Sequence, residues 1–389
     1  MTQQEVLSPQ AVLGSPSDLS TASDAEERVS VATQWQLMWW RFRKHKLALV
    51  SAAVVFFMYA SAAAADFLAY SDPLASDAQR GLIAPQPLYV FDNGQFAPYV
   101  QGLVGQRDPQ TFKRVYVADP NVKVPITFFA QGFPYKLFGV IPMDRHLVGV
   151  SGDGRTAETS LFFLGTDVQG RDQFSRLVYA TRISLLIGLT SVALSLILGV
   201  LLGGLSGYLG GTVDTVIQRI IEILRSIPTI PLWMGLAAAV PKDWSIEQVF
   251  FAMTLIFSLF SWTELARVVR GRFLSLREED FVTAAELAGC SRLRIIFRHL
   301  VPSFTSHIIA ATTLALPAIV IFETSLSFLG LGMRPPAISW GVMLQEASNI
   351  QTAAISPWLL WPAVPVIAAI LAFNFLGDGL RDAADPYGI

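Results

Sequence analysis

Charged residues are scarce in this sequence, and their scarcity excludes an ordinary water-soluble globule. Asp, Glu, Lys and Arg together make up 15% of the 389 residues, whereas typical soluble domains contain about 25%. Hydrophobic residues make up 52% of the chain, which is more apolar surface than one soluble core can bury. The composition therefore predicts a protein that crosses a membrane several times.

Cysteine and the motifs of nucleotide and metal chemistry are also missing. Cys290 is the only cysteine, which excludes an internal disulfide and a cysteine-rich metal site. The dipeptide Gly-Lys does not occur, so the chain has no P-loop for a nucleotide, and the four histidines show no metal-ligand spacing. The net charge of −2 gives no sign of nucleic-acid binding. We therefore expect no catalytic residue, metal or cofactor in this chain.

Long apolar runs predict six membrane-spanning helices. The first is predicted over 47–69, directly after the basic cluster 41–46. This cluster and the arginines of the loop between spans four and five are assigned to the cytoplasmic side by the positive-inside rule. An even number of spans then puts both termini in the cytoplasm. The five later runs are 183–213, 215–241, 248–270, 299–330 and 347–377.

The spans divide the chain into segments. The N-terminal segment 1–46 is polar and is expected to be flexible and cytoplasmic. The segment 70–175 is expected to be external and contains strand-like stretches at Val115–Val117 and Val122–Phe129. The sequence thus predicts an all-α polytopic membrane protein with a β-containing external insertion after its first helix. The other segments are the first span 47–69, a five-helix core over 176–380 with a cytoplasmic loop at 271–300, and a cytoplasmic tail over 381–389.

A short helix with clear end signals is predicted within the loop. The acidic residues 278–280 suit a helix N-terminus, where backbone N–H groups favour negative charge. Gly289 is a natural helix stop, and Pro302 is expected to limit the segment further along. A face of small residues with one aromatic side chain can lie in a groove of another protein or pack on its own bundle, and both alternatives stay open. The residues predicted to share this face are Phe281, Ala284, Ala285 and Ala288.

The second and third predicted spans carry two local signals. Glycine recurs every fourth residue in the second span, a spacing that lets helix backbones approach closely and predicts a packing seam, either fixed or moving. The third span begins with Arg219, Glu222 and Arg225, which can pair on one helix face. Pro228 and Pro231 follow and are expected to kink the helix, either as an irregularity or as a cytoplasmic gate on the translocation pathway. The glycines of the seam are Gly199, Gly203, Gly207 and Gly211.

Glu323 lies well inside the fifth apolar run. A carboxylate at the bilayer centre costs about 2.5–3.5 kcal/mol on insertion scales, so Glu323 should face the bundle interior or carry a proton. It is a candidate for the translocation pathway, and a structural hydrogen bond to a neighbouring helix is the alternative. The stretch 333–357, which includes Trp340, could cover the outer mouth or anchor the chain at the lipid interface.

The loop resembles the "EAA" loop of ABC importer permeases, whose pattern is E-A-A-x3-G-x9-I-x-L-P. Ala284, Ala285, Gly289 and Pro302 match this pattern. The sequence departs from it where Thr283 replaces the first Glu and where His299 and Val301 replace Ile and Leu.

Three further stretches resemble permeases of the dipeptide/oligopeptide/nickel type, in the same order and spacing over 160–389. Residues 164–172 read L-G-T-D-V-Q-G-R-D, like the motif that precedes the second helix in that family. Residues 326–332, followed by Pro335, Pro336 and 339–341, are similar to the segment after the fifth helix. Residues 377–382, with Asp385 and Pro386, are similar to the C-terminus.

The resemblance implies a subunit of an ATP-driven importer in a bacterial inner membrane. The expected partners are a second homologous permease, two ATPase chains that bind ATP and Mg, a periplasmic solute-binding protein and membrane lipid. Peptides are the expected cargo, with oligosaccharides, opines or nickel complexes as alternatives. A self-sufficient secondary transporter and a membrane-anchored enzyme are weaker alternatives, because no internal repeat and no nucleophile arrangement are found. The residues expected to receive the ATPase are Phe281, Val282, Thr283, Ala284, Ala285, Glu286, Gly289 and Arg292.

Overall fold

A computed structural model of the chain describes residues 33–107, 109, 114–150 and 160–384. Most of the segment predicted to be flexible, 1–32, and the tail 385–389, which contains Asp385 and Pro386, lie outside the described residues.

The chain enters the bundle through three helices: α1 (Gln34–Lys44), α2 (Lys46–Ala63) and α3 (Ala65–Leu68). The prediction of one continuous helix over 47–69 is wrong at its end, because the helix breaks at Ala64. The break lets Asp66 turn toward a later helix, where its carboxylate accepts hydrogen bonds from Arg182 at 2.7 Å and Tyr179 at 2.6 Å. The last turn of the predicted span is therefore the separate helical turn α3, which carries this polar contact.

The insertion after the first helices is a four-stranded antiparallel sheet with strand order β1-β2-β3-β4. The predicted strand-like stretches are confirmed, and both lie in the single strand β3. Asn93 and Gly94 connect the first two strands with positive φ angles of 49° and 83°, as a tight hairpin turn requires. Val100, Val124, Ile126 and Leu161 form a small core on one side of the sheet. The strands are β1 (Leu88–Asp92), β2 (Gln95–Arg107), β3 (Arg114–Leu137) and β4 (Ile141–Val150).

The 37-residue helix α4 (Gln173–Leu209) is followed by a broken span, α5 (Gly211–Ser226) and α6 (Thr229–Ala239). The axes of α5 and α6 differ by 87°. The predicted kink is confirmed: Pro228 lies in the break and has no N–H to donate to a continuing helix. Pro231 lies in the first turn of α6. Backbone N–H groups in a first turn have no partner within the helix, so the missing N–H of proline costs no helical hydrogen bond there.

Helix α7 (Ile246–Leu276) packs backbone to backbone against α4. A Cβ atom built on Gly203 would lie 2.8 Å from the Cα of Ala266. Gly207 faces the backbone of Arg270 in the same way, whereas Gly199 faces the side chain of Leu265. The close approach is the one that the glycine spacing predicts. Gly211 does not belong to the seam, because it starts α5 with a φ of 56° and has open space around it.

The loop after α7 contains α8 (Asp280–Leu287), a π-helical turn over Ile295–Leu300 and a short turn over Val301–Ser303. The chain then forms α9 (Thr305–Phe328), α10 (Trp340–Glu346), α11 (Ile350–Ile355) and α12 (Ala363–Ala384). Two predictions are wrong here. Pro302 lies inside a helical turn that continues from Leu300, and the break follows two residues later at Phe304. The last span begins at Pro357, because the apolar stretch before it forms the separate helix α11.

Five helices of the described chain are long and apolar enough to cross a membrane: α2, α4, α7, α9, and α12 together with the turn before it. The bent pair α5–α6 is a sixth span if its two helices are counted as one. The termini of the long helix α4 define two ends of the bundle, one near α8 and one near α10.

Candidate functional site

The short helix α8 has the end signals that its sequence predicts. Its last turn closes with two hydrogen bonds, from the N–H of Gly289 to the carbonyl of Glu286 at 2.9 Å and from the N–H of Cys290 to the carbonyl of Ala285 at 3.1 Å. This is the Schellman arrangement, which needs a left-handed residue between helix and loop. Gly289 supplies it with a φ of 76°. The prediction of a helix that stops at Gly289 is confirmed.

One side of α8 is fixed to the bundle. Val282 and Ala285 are buried in a cluster that includes Phe273 of α7 and Ile296 of the π-helical turn. Glu286 accepts a hydrogen bond of 2.6 Å from the hydroxyl of Tyr208, at the end of α4. The helix α8 is thus held to both α4 and α7, the two helices of the glycine seam.

The other side of α8 is apolar and exposed. Phe281, Ala284 and Ala288 lie on it as predicted, but Ala285 faces the bundle. Leu287, 85% exposed, takes the place of Ala285 on the outer side. We call the whole patch the α8 surface, and its members are Phe281, Ala284, Leu287, Ala288, Leu293 and Phe297. Exposed apolar side chains that are grouped in this way make the α8 surface a candidate for contact with another protein.

Polar residues surround the α8 surface. Thr283 is exposed on α8, and Arg292 and Arg294 are exposed in the turn that follows Gly289. An apolar centre with a charged rim is the arrangement of a protein interface.

A second polar feature lies where α5 meets α7. Arg225 in the last turn of α5 pairs with Glu264 of α7, and Arg219 pairs with Glu222 at 2.8 Å. The predicted local pairing is thus confirmed for Arg219 and Glu222, whereas Arg225 uses a partner on another helix. Glu264 is 68% exposed although it lies within a candidate span. A charged group in this position must face water or protein rather than lipid.

A cleft of about 80 Å³ adjoins Glu264. Hydroxyl side chains from three spanning helices line it together with apolar residues. We call this side of the bundle the polar wall, formed by Arg225, Glu264, Ser195, Ser261 and Thr312. Sequence inspection missed Glu264 because it stands at the end of an uncharged run, where it is hard to distinguish from the residues of the following loop.

Glu323 lies elsewhere, near the α10 end of the bundle. It is fully buried and accepts hydrogen bonds from Ser184 of α4 at 3.0 Å and Ser327 of α9 at 2.9 Å. Ser184 also accepts the backbone N–H of Trp340 at 3.2 Å. The carboxylate faces the bundle interior, as predicted, and it joins α4, α9 and the start of α10. It is one turn from the end of α9 rather than at its centre.

Trp340 does not anchor the chain in lipid. Its ring is fully buried, and its Nε1–H donates to the hydroxyl of Thr181 at 3.2 Å. The interfacial-anchor alternative is therefore wrong, because the indole N–H is satisfied inside the bundle and has no need of a headgroup partner.

Residues 164–172 build a buried ion network at the same end. Asp167 accepts hydrogen bonds from Arg171 at 2.6 Å and from Arg176, and Glu346 of α10 accepts from Arg171 at 2.6 Å and Arg176 at 2.9 Å. We call these four residues the four-charge clamp. Asp172 caps α4 by accepting the N–H of Ser175 at 2.7 Å. The clamp ties the start of α4 to α10.

The carboxyl group of Asp172 has an unusually high pKa. Burial raises the pKa of Asp172 to about 6, although the hydroxyl of Tyr70 and the N–H of Ser175 both donate to its carboxylate and favour the charged form. Among the described residues, no group of three or more His, Cys, Asp or Glu side chains is placed to hold a metal ion.

Two profiles of known protein families match this chain. A profile of the family "binding-protein-dependent transport system inner membrane component" matches residues 177–387, more than half of the chain. The chain belongs to this family. A second profile, the N-terminal transmembrane domain of oligopeptide transport permease C, matches residues 33–85 of the permease. Family membership and the apolar helices make the permease a multi-pass inner membrane protein.

Individual relatives are similar over the same region. The permease is 42% identical to the oligopeptide transport system permease protein OppC of Salmonella typhimurium over 225 residues, which are 58% of this chain and 72% of that protein. It is 39% identical to OppC of Haemophilus influenzae, over 58% of this chain and 70% of that protein. An inward-facing structure of the MetNI methionine ABC transporter aligns with a TM-score of 0.42 and 19% identity, covering 54% of this chain and 97% of that chain.

The contacts of Glu323 predict how the permease responds to its replacement. Glu323→Gln keeps an acceptor for the serine hydroxyls, so the variant should fold with native stability. Glu323→Leu leaves buried hydroxyls without their acceptor and should lower the free energy of unfolding by about 1–3 kcal/mol. Thermal unfolding in detergent measures both, with Glu264→Leu as an exposed-acid control. A Glu323→Leu variant as stable as the native permease would contradict the structural role.

Proposed function

We propose that this permease is one half of the translocation pathway of an ATP-driven peptide importer and that the α8 surface receives an ATPase subunit. The exposed apolar side of a helix fixed to two spans is the observation that carries this proposal. Peptides are proposed as cargo because relatives about 40% identical are named oligopeptide permeases. ATP and Mg are bound by two ATPase chains, which fits a sequence without a P-loop.

The coupling step follows from the contacts of α8. Closure of the two ATPase chains pushes on Phe281 and Leu287, and the buried side of α8 transmits the push through Val282 to α7. The hydrogen bond from Tyr208 to Glu286 transmits it to α4. Because α4 and α7 pack without intervening side chains at Gly203, we expect them to move as one body. The glycine seam is then a fixed joint within a moving unit.

The polar wall is proposed to face a second, homologous permease across the pathway. Arg225 and Glu264 present both signs of charge there, which suits a cargo that carries an amino and a carboxyl terminus. Pro228 sets the bend beside this pair. Pro228 and Pro231, which follows in the first turn of α6, form the cytoplasmic end of the pathway in this proposal. Glu323 holds α4 and α9 together at the α10 end of the bundle. A solute-binding protein delivers the cargo at the α10 end, and both termini lie in the cytoplasm.

Replacing Leu287 tests the assignment of the α8 surface. Leu287→Asp puts a charge into the apolar centre of the contact and leaves this chain's own core untouched, so the permease should insert and fold normally. Recovery of the ATPase with the tagged permease in mild detergent should fall about tenfold or more, as for an interface hot spot. Leu74→Asp, an equally apolar exposed residue before the sheet, is the matched control. Native recovery of the ATPase with Leu287→Asp would contradict the proposal.

Replacing Glu264 tests the polar wall. The Arg225–Glu264 pair is exposed on both sides, so Glu264→Gln should change the free energy of unfolding by less than about 1 kcal/mol. Uptake of a labelled peptide by the reconstituted importer should nevertheless fall, since the wall loses its negative charge. Glu247→Gln, at the exposed start of α7, should transport normally. Unchanged uptake by Glu264→Gln would remove this residue from the pathway.

A further inference from the structure

The first helix, α1, exposes an unusual set of side chains. Six of its eleven residues are apolar, three are basic and none is acidic. Trp35 and Trp39 are 58% and 54% exposed, and Trp40 is also exposed. A capping box at Thr33 and Gln36 fixes the start of the helix, so these rings belong to an ordered element. Three exposed tryptophans on one short helix require a partner that tolerates both apolar and polar contact.

The adjoining side of α1 is attached to the bundle, and Trp39 stacks on Phe42 of that side with ring centroids 6.1 Å apart. Met38 and Phe42 are buried, and Phe42 packs with Ala48 of α2 and Ala383 of α12. His45 interrupts the helix with a φ of −85° and a ψ of 86°, and α2 begins at the next residue. The helix α1 therefore lies beside the point at which the first spanning helix begins.

The direction in which α2 runs shows at which end of the bundle α1 lies. The far end of α2 leads to Asp66, which binds Arg182 near the start of α4. The near end of α2, and α1 with it, therefore lies at the α8 end of the bundle. Lys46 marks the first turn of the span, and an exposed helix two residues before a span lies at the level of the lipid headgroups.

The exposed cations of this region complement an anionic surface. Arg43 and Lys44 are exposed in the last turn of α1, and Lys46 is exposed at the start of α2. Tryptophan prefers the membrane interface, and basic residues beside a span attract anionic lipid headgroups. Aromatic side chains and cations on one helix are the composition of an interfacial amphipathic helix.

We propose that α1 lies in the headgroup region of the leaflet on the α8 side and binds anionic phospholipids there. Trp35, Trp39 and Trp40 enter the interface, and Arg43, Lys44 and Lys46 bind the lipid phosphates. Because Phe42 packs on the end of α12 and on α2, α1 links these two spans to the membrane surface. This role is independent of the cargo and of the ATPase.

Fluorescence quenching locates the three tryptophans. The full-length permease and the triple variant Trp35→Phe, Trp39→Phe, Trp40→Phe are placed in nanodiscs that contain brominated phosphatidylcholine, with bromine near the headgroup or near the bilayer centre. The difference in emission between the two proteins comes from Trp35, Trp39 and Trp40. Bromine near the headgroup should quench this emission about twofold more than bromine near the bilayer centre. Emission that is quenched by aqueous iodide and not by either brominated lipid would overturn the proposal and indicate water or a protein partner.

The lipids that the purified permease retains test whether the cations of α1 and α2 bind anionic headgroups. The permease is purified from mixed micelles of phosphatidylglycerol and phosphatidylcholine, and the retained lipids are counted by mass spectrometry. Replacing Arg43, Lys44 and Lys46 by Gln should lower the ratio of retained phosphatidylglycerol to phosphatidylcholine by about fivefold. The control replaces Arg272, Arg294 and Arg298, exposed cations at the end of α7 and in the loop that follows it. An unchanged ratio in the α1 variant, or an equal fall in the control, would overturn the proposal.

Discussion

Replacing Gly289 by Val is expected to abolish solute uptake while leaving the permease inserted in the membrane. The φ of 76° at Gly289 lies in the left-handed region, which costs an L-residue roughly 1–2 kcal/mol and a β-branched residue more. The variant can relieve this strain only by giving up the Schellman hydrogen bonds at the end of α8. The α8 surface would then lose its fixed orientation, and ATP hydrolysis would proceed without transport.

Two control variants test whether the effect of Gly289→Val comes from backbone strain or from the added volume of the side chain. Gly271 in α7 has open space around it, as Gly289 has, but it has an ordinary helical conformation. Gly271→Val should therefore transport nearly normally. Asn tolerates the left-handed region better than other residues, so Gly289→Asn should retain part of the uptake. Reconstituted vesicles report peptide uptake and ATP hydrolysis in parallel, and coupled transport by Gly289→Val would refute the role assigned to this turn.

The features predicted correctly from the sequence are those with local causes. The bend at Pro228 follows from one missing N–H, and the end of α8 follows from one glycine. The spans themselves follow from hydropathy, because about 20 apolar residues are enough to cross a bilayer. In each case the residues that determine the structure are neighbours in the sequence.

The features missed from the sequence depend on what a residue meets elsewhere in the chain. Periodicity predicts that Ala285 and Phe281 share a face, but it does not say which side of α8 the bundle covers. Leu287 is exposed because Val282 and Ala285 take the buried side. The link from Asp167 to α10 is also long-range, because Arg171 and Arg176 join Asp167 to Glu346, 175 residues beyond Arg171. Such pairs cannot be found in one sequence by spacing.

The helix α4 runs from one end of the bundle to the other. A helix of this size spans about 55 Å, and it begins at the four-charge clamp and ends beside α8. We expect a push on the α8 surface to move the clamp end only if the clamp holds α4 firmly to α10. The clamp should therefore matter for transport as well as for stability.

Removing Asp167 is expected to destabilise the permease strongly. Asp167 is fully buried, and its carboxylate neutralises two arginines, Arg171 and Arg176, that are also buried. Breaking a buried ion network by removing one partner costs about 3–5 kcal/mol, because a charge is left unpaired. Thermal unfolding of Asp167→Ala in detergent should show this loss. Asp92→Ala, which removes an exposed pair with Lys123, should cost less than about 1 kcal/mol.

A double variant shows whether the loss comes from the unpaired charge. In Asp167→Leu, Arg176 keeps its charge and has only Glu346 to share with Arg171. Adding Arg176→Met removes that charge, and apolar replacements of buried ion pairs are often tolerated. The double variant should therefore be more stable than Asp167→Leu, although it carries one more substitution. Additive destabilisation would show that the clamp stabilises the bundle by packing rather than by charge.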